Sequence, residues 1–107
     1  MTHPQLKTSV LNLVVKIPPL KVVYFGQIAK HLGSNPRTIG WILSGLTKEE
    51  CDAVPWYRVV AKNGFISSLK LGFKGQVQRE KLTQEGYTLN DNFVDMEKHG
   101  VESLEFC

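Results

Sequence analysis

The segment GSNP, residues 33–36, constrains the fold most, because it interrupts two apolar patterns of helical period. Gly33 suits a helix C-terminus, Asn35 an N-cap and Pro36 a first helical position. The apolar residues before the segment recur at i, i+3, i+4 and i+7: Phe25, Ile28, Ala29 and Leu32. Those after it form a second stripe: Ile39, Ile42, Leu43 and Leu46. Two short helices joined by a tight Gly-containing turn predict a helix-turn-helix.

Two further helices and a hairpin are predicted around this unit. One helix ends before Pro18-Pro19, and its apolar residues are Leu6, Val10, Leu13, Val14 and Ile17. Another covers residues 76–85 and stops at Gly86. Asn63-Gly64 separates the apolar runs 59–61 and 65–67, which is typical of a β-hairpin. The expected fold is a single-domain winged helix-turn-helix, mainly α with a small β-hairpin.

Charge is distributed unevenly along the chain. Residues 1–90 carry twelve Lys or Arg and five Asp or Glu, whereas residues 91–107 carry one Lys and five acids. A basic body suggests an anionic partner, although a solvated surface with chance asymmetry would give the same counts. We divide the chain into a domain over 1–89 and an acidic C-terminal extension over 90–107, which either packs or stays mobile.

Several classes of protein are disfavoured. No apolar run approaches the roughly 18 residues of a membrane span, and no signal peptide is evident. Cys51 and Cys107 fit no metal-ligand spacing, so we expect free thiols in a reducing cytoplasm and no metal or cofactor. The histidines are dispersed, so local sequence supports no catalytic grouping.

The outer face of the second helix carries candidate contacts to DNA. Gly40 and Ser44 are small enough for a close backbone approach, and Arg37 is a long cation near the helix start. Thr38 and the helix N-terminus can add hydrogen bonds to phosphate. Close helix packing at Gly40 and a solvated Arg37 explain the same pattern equally well.

A family resemblance rests on several segments that occur in order: VYFGQIAKHLG, NPRTIGWIL, VPWYRVV, NGFIS and QREKLTQEG. Together they resemble the DNA-binding domain of O6-alkylguanine-DNA alkyltransferases, over residues 6–89. Those enzymes carry Pro-Cys-His-Arg-Val, whose cysteine accepts the alkyl group. Here Pro55 is followed by Trp56, Tyr57, Arg58 and Val59, which is similar to the Pro-Trp-His-Arg-Val of alkyltransferase-like proteins.

The resemblance implies a non-enzymatic binder of double-stranded DNA that contains O6-alkylguanine. Alkyl transfer needs an activated thiolate, and Trp56 offers none, while Tyr57 replaces the assisting histidine. The resemblance further implies minor-groove binding, extrusion of the damaged base and flagging of the lesion for nucleotide excision repair. The residues that would form the lesion pocket are Pro55, Trp56, Tyr57, Val59, Leu69 and Lys70.

Individual roles follow from the same resemblance. Arg37 corresponds to the arginine that fills the space of the extruded nucleotide, and Arg58 is expected to fix its loop by hydrogen bonds. The family's tyrosine before Gly26 is Phe25 here, which fits a core role as well as a DNA role, and Tyr24 lies one residue earlier. Trp41 occupies a position that is normally small or polar, where it could clash, stack, intercalate or turn inward.

Three departures from the family pattern, at Phe25, Trp41 and Leu69, leave other functions open. An arginine that alkyltransferase-like proteins place over the base is Leu69 here, followed by Lys70. A DNA-binding module of the same fold without lesion specificity is therefore one alternative. A divergent methylated-DNA-protein-cysteine methyltransferase that uses Cys51, or a glycosylase-like enzyme, is another. In each case we expect a monomer, located in the cytoplasm at the nucleoid or in the nucleus.

Overall fold

The computed structural model describes residues 3–66 and 73–104. The helices in those residues are α1 His3–Val14, α2 Phe25–Leu32, α3 Pro36–Ser44, α4 Lys48–Ala53, α5 Phe73–Gln84 and α6 Met96–His99. The strands are β1 Val23–Tyr24, β2 Val59–Val60, β3 Leu89–Asn90 and β4 Phe93–Val94, and a 3₁₀ turn covers Trp56–Arg58. In this part of the chain, none of the helices has the length and hydropathy that a membrane crossing requires.

The predicted helix-turn-helix is confirmed in α2 and α3. Gly33 ends α2 in the left-handed region, at φ 69°, and the next amide, Ser34 N–H, bonds the Ala29 carbonyl at 2.8 Å. Asn35 then caps α3 by accepting the Thr38 N–H at 3.0 Å, and Pro36 begins the helix. α3 ends at Ser44, slightly earlier than the predicted stripe.

Within residues 59–66, the described part of the hairpin predicted over 59–67, β2 does not form a ladder with the residues after the turn. A turn does form there, closed by the Ala61 N–H to the Phe65 carbonyl at 3.0 Å. However, β2 pairs in parallel with β1, Val59 opposite Val23, and Phe65 bridges to Phe93 instead. Both residues of β2 are buried, which is typical of a strand covered on two faces rather than of an exposed wing. The antiparallel hairpin lies farther along, between β3 and β4.

The two acidic residues before Cys51, Glu49 and Glu50, belong to α4, a helix that the sequence analysis did not predict. Thr47 caps α4: its hydroxyl accepts the Glu50 N–H at 3.2 Å, and Glu50 accepts the Thr47 N–H at 2.9 Å. Glu50 also pairs with Lys7 of α1 at 2.9 Å. Lys7 and the Thr47 amide hold the pKa of the Glu50 carboxyl below its usual value. Glu50 is therefore a capping and bridging residue, not a freely solvated one.

Residues 90–104 pack against the body of the protein. Of the two alternatives for the extension, packing or mobility, the structure shows packing over that range. Val94 and His99 are buried. His99 Nε2 accepts the Thr88 N–H at 2.9 Å, so Nδ1 carries the proton that bonds the Leu20 carbonyl at 2.8 Å. Val22 completes the attachment by donating its N–H to the His99 carbonyl at 2.9 Å.

Two apolar clusters form the core. The main cluster joins the inner faces of α1, α2 and α3 to the 3₁₀ turn and β2. The second lies beside α5 and the C-terminal hairpin, and consists of Val22, Val60, Ile66, Leu82, Tyr87 and Val94. Because Val59 belongs to the main cluster and Val60 to the second, β2 is the strand at which they meet.

Candidate functional site

The outer face of α3 presents most of the predicted DNA contacts to solvent. Arg37 and Ser44 are exposed, and the Trp41 side chain is 69% exposed. Arg37 and Trp41 are four residues apart, so they are neighbours on one helix face. Neither of the ion pairs found in the described residues involves Arg37. This face therefore offers a cation beside a large exposed aromatic.

The polar side chains of this face are engaged within the helix. Both the N–H and the hydroxyl of Thr38 donate to Asn35 Oδ1, at 3.0 and 3.1 Å. The Ser44 hydroxyl donates to the Trp41 carbonyl at 2.9 Å. A hydrogen bond from either hydroxyl to a phosphate would require that hydroxyl to rotate away from its present acceptor.

Phe25 and Tyr24 lie where α2 begins, and they differ in their surroundings. The half-buried Phe25 ring packs against the main core, and an added Cβ at Gly40 would lie 3.9 Å from it. The Tyr24 ring covers Gly26, where an added Cβ would come within 3.2 Å of it. Phe25 thus has the core contacts that the sequence allowed, and Tyr24 is the member of the pair that carries a hydroxyl.

A cleft of about 430 Å³ opens beside Tyr24, between α2 and the C-terminal segment. The Gln27 side chain closes one side: its Oε1 accepts the Tyr24 N–H at 2.9 Å, and its Nε2 donates to the Val101 carbonyl at 2.6 Å. The cleft is lined by Tyr24, Gly26, Gln27, Lys30, His31, Glu102, Ser103 and Leu104. The sequence analysis missed Gln27, because its role depends on a contact with a segment far along the chain.

The predicted lesion pocket centres on the 3₁₀ turn. Trp56 is 7% exposed and belongs to the main core, so its ring is buried rather than open to solvent. Tyr57 meets it edge to face, with ring centroids 6.0 Å apart. Pro55 caps the turn, and Val59 is buried in β2 opposite Val23. The two remaining predicted members, Leu69 and Lys70, lie outside the described residues.

Arg58 holds the turn against two other parts of the protein. Its Nη1 donates to the Ile17 carbonyl at 2.7 Å, next to the end of α1. Its Nη2 donates to both oxygens of Glu85 at 3.0 Å, and its Nε to one of them at 3.2 Å. The Arg58 side chain is 11% exposed. These contacts support the interpretation of Arg58 as a residue that fixes the loop.

Tyr57 is directed to the same carboxylate as Arg58. Its hydroxyl donates to Glu85 Oε2 at 2.7 Å. Burial raises the pKa of the Tyr57 phenol, and the hydrogen bond to the Glu85 carboxylate raises it further. The phenol therefore stays protonated at neutral pH, as a hydrogen-bond donor that cannot act as a base.

Gln78 and Glu85 support the 3₁₀ turn, and sequence reasoning missed both of them. The buried Gln78 amide donates to the carbonyls of Tyr57 and Val59, at 3.0 and 3.1 Å. Glu85 follows α5 and receives Tyr57 and Arg58. A nearly buried arginine needs a carboxylate, which could have pointed to Glu85, whereas no sequence pattern distinguishes Gln78.

No metal centre is found in residues 3–66 and 73–104, where no group of three or more His, Cys, Asp or Glu could hold an ion. Cys51 is a half-buried free thiol on α4, with its sulfur 4.0 Å from the Leu46 carbonyl. It is therefore not part of the 3₁₀ turn. Cys107 lies outside the residues that the structure describes.

Comparisons with known proteins agree on one family. Residues 5–87 match the DNA-binding domain of 6-O-methylguanine DNA methyltransferase. Alkyltransferase-like protein 1 of Schizosaccharomyces pombe is 34% identical over 88 residues, which cover 80% of each chain. A methylated-DNA--protein-cysteine methyltransferase of Saccharolobus solfataricus is 39% identical over 85 residues. The match covers 79% of this chain but 52% of that enzyme, so this chain spans about half its length.

Solved structures give the same result for the fold. A crystal structure of S. pombe Atl1 in complex with damaged DNA containing O6-carboxymethylguanine superposes with a TM-score of 0.81 at 27% identity, covering 95% of this chain and 99% of that one. A second structure of the S. pombe protein with DNA gives a TM-score of 0.76 at 29% identity, covering 92% and 97%.

Proposed function

Because this chain belongs to the 6-O-methylguanine DNA methyltransferase DNA-binding family, as an alkyltransferase-like member, we propose that it binds O6-alkylguanine in double-stranded DNA without removing the alkyl group. The observation that carries the proposal is the segment Pro55-Trp56-Tyr57-Arg58-Val59, whose resemblance to the family's Pro-Cys-His-Arg-Val puts Trp56 in the place of the acceptor cysteine. An indole is no nucleophile, so the motif retains a binding surface and loses the reaction.

The binding face in this proposal is the outer side of α3. Arg37 enters the minor groove and occupies the space of the extruded nucleotide, while Gly40 permits a close approach of the backbone. α3 carries one charged side chain, that of Arg37, and it is positive. The match of the fold over nearly the whole chain to S. pombe Atl1, solved in complex with damaged DNA, supports DNA as the partner.

Base extrusion is the second part of the proposal. It costs a few kcal/mol, which stacking on an aromatic ring and hydrogen bonds to the base edge offset. Because Trp56 is 7% exposed, a base that stacks on it must displace part of its present packing. The resulting complex would mark the lesion for nucleotide excision repair proteins. Such a protein would act as a monomer wherever the DNA is, at the nucleoid or in the nucleus.

The test of lesion recognition is a titration of two duplexes of one sequence, with and without a single O6-methylguanine. Fluorescence anisotropy of labelled DNA at a fixed salt concentration gives both dissociation constants. We expect tighter binding to the lesion duplex, and equal constants would contradict the proposal. A duplex with a guanine–thymine mismatch is the matched control, because it separates recognition of the alkyl group from recognition of a weakened base pair.

The absence of alkyl transfer has its own test. Intact-mass analysis after incubation with methylated DNA should give the unmodified mass of the protein. A mass increase of one methyl group would instead support the methyltransferase alternative, and Cys51→Ser would then identify whether the thiol on α4 is the acceptor.

One observation favours a second candidate, a DNA-binding module without lesion specificity. Both Trp56 and Phe25 pack against the core, and this leaves fewer groups facing an extruded base. That candidate predicts the same salt-sensitive affinity for damaged and undamaged duplex. The paired titration distinguishes it from lesion recognition.

A further inference from the structure

We propose that Trp41 is a wedge residue, which inserts its indole between adjacent base pairs from the minor groove. The inference rests on the proposed function in taking the minor groove of the duplex as the surface that α3 meets. It assigns to Trp41 a contribution to affinity for any duplex, separate from recognition of the alkyl group at Trp56.

The first argument comes from Gly40, the residue before Trp41. A Cβ added at Gly40 would meet only the Phe25 ring, at the ordinary contact distance of 3.9 Å. At Gly64 and Gly100, by contrast, an added Cβ would collide with backbone carbonyls, at 2.3 and 2.6 Å. Packing inside the protein thus requires glycine at positions 64 and 100 but not at position 40. A mid-helix glycine that packing does not require is suited to close approach by a partner's backbone.

The second argument comes from the indole itself. Trp41 is the most exposed of the large hydrophobic side chains in the described residues, at 69%. The alternative in which it turns inward is therefore excluded. Arg37 lies one helical turn before it on the same face, so the indole stands beside the cation that would enter the groove.

The shape of the groove decides between the remaining alternatives. The minor groove is about 6 Å wide, so an indole that projects from α3 beside Gly40 would hold the helix away if it stayed in the groove. An indole inserted between base pairs instead lets the helix approach. Minor-groove proteins use apolar wedges in this way, at a cost of a few kcal/mol per unstacked step. Stacking of the bases on the ring offsets that cost.

The wedge predicts a specific pattern of affinities. Because any base pair can stack on the indole, Trp41→Ala should weaken binding to damaged and undamaged duplex by the same factor, roughly 5- to 150-fold. The ratio of the two dissociation constants should stay as in the unmodified protein. Trp41→Phe keeps an aromatic ring and should recover most of the loss. Thermal unfolding should be nearly unchanged in both variants, since the side chain is exposed.

Two outcomes would overturn the wedge. One is undamaged-duplex binding by Trp41→Ala that is as tight as, or tighter than, that of the unmodified protein, because an obstructing indole would give that result. The other is found with Trp56→Phe, in which Trp41 is the sole tryptophan. If saturating undamaged duplex leaves its quenching by acrylamide unchanged, the indole is not inserted; we expect strong protection. Failure of lesion preference in the unmodified protein would overturn the proposed function but not the wedge.

Discussion

At the scale of single residues, the 3₁₀ turn depends on Glu85. The Glu85 carboxylate accepts hydrogen bonds from the Tyr57 hydroxyl and from two nitrogens of Arg58. Glu85 is distant from both residues in the sequence. Removing its charge leaves the Arg58 guanidinium, 11% exposed, without a counter-ion. The turn that positions Trp56 is thus held by a group outside the motif.

We therefore expect Glu85→Gln to lower the free energy of unfolding by about 1–3 kcal/mol, because a nearly buried cation loses charge-assisted hydrogen bonds. Urea denaturation at neutral pH measures the change. Glu80→Gln is the matched control, since Glu80 is exposed on α5, the helix that Glu85 follows. Similar losses in the two variants would show that the Glu85 contacts contribute little.

Tyr87 gives a prediction about pH. Burial raises the pKa of Tyr87 from 10.0 to about 12, and its hydroxyl donates to the Lys21 carbonyl at 2.8 Å. A raised pKa means that the fold favours the neutral phenol, so this contribution is complete below pH 10 and is lost as the pH rises towards 12. The free energy of unfolding should fall across that window. Tyr87→Phe should be less stable at neutral pH and should lose less between pH 10 and 12; an unchanged alkaline slope would contradict this assignment.

At the scale of elements, the helix-turn-helix could be predicted because independent signals coincide within a few residues. The left-handed Gly33, the cap at Asn35 and the first-turn Pro36 all agree with the apolar period on either side. The exposure of the outer face of α3 was predictable for the same reason. The sequence also carries the capping-box pattern that begins at Thr47. However, α4 is too short for apolar periodicity to indicate a helix there.

The pairing of β2 could not be predicted in the same way. The Asn63-Gly64 turn forms. However, the pairing of a two-residue strand depends on contacts between residues that are distant in sequence, as Val23 and Val59 are. Val59 pairs with Val23 inside the main cluster. Phe65 bridges to Phe93, whose neighbour Val94 belongs to the second cluster. The same limit explains Gln78, whose polar side chain acquires a role only when α5 packs on the turn.

Two glycines on different elements test this account with one type of substitution. Gly64→Ala should lower the free energy of unfolding by more than about 2 kcal/mol, since φ is +92° and the new Cβ would collide with the Val94 carbonyl. Gly40→Ala should raise it by up to about 1 kcal/mol, because alanine is the better helix former and has room.

Denaturation curves of the two variants measure these opposite signs. In addition, Gly40→Ala should weaken duplex binding despite its greater stability. A destabilised Gly40→Ala protein would mean that packing inside the molecule, and not the approach of a partner, requires this glycine.

At the scale of the whole molecule, the two surfaces of interest are attached to one core. α3 packs its inner face into the main cluster, and Trp56 belongs to that same cluster. The C-terminal segment closes over the start of α2 through Gln27 and Val101. In the proposed complex, freeing the Trp56 ring for a base would disturb the cluster into which α3 packs, so we expect groove binding and base recognition to be coupled.

The most direct test of the central claim is the ratio of dissociation constants for undamaged and O6-methylguanine duplexes, measured for the unmodified protein and for Trp56→Leu. If O6-methylguanine is extruded onto the indole while undamaged guanine stays paired, one stacked base predicts a ratio of roughly 5 to 150 in the unmodified protein. The ratio should fall towards one when the aromatic ring is replaced, with circular dichroism confirming that the variant is folded. A ratio of one in the unmodified protein, or a ratio that survives in folded Trp56→Leu, would contradict the claim that Trp56 reads the lesion.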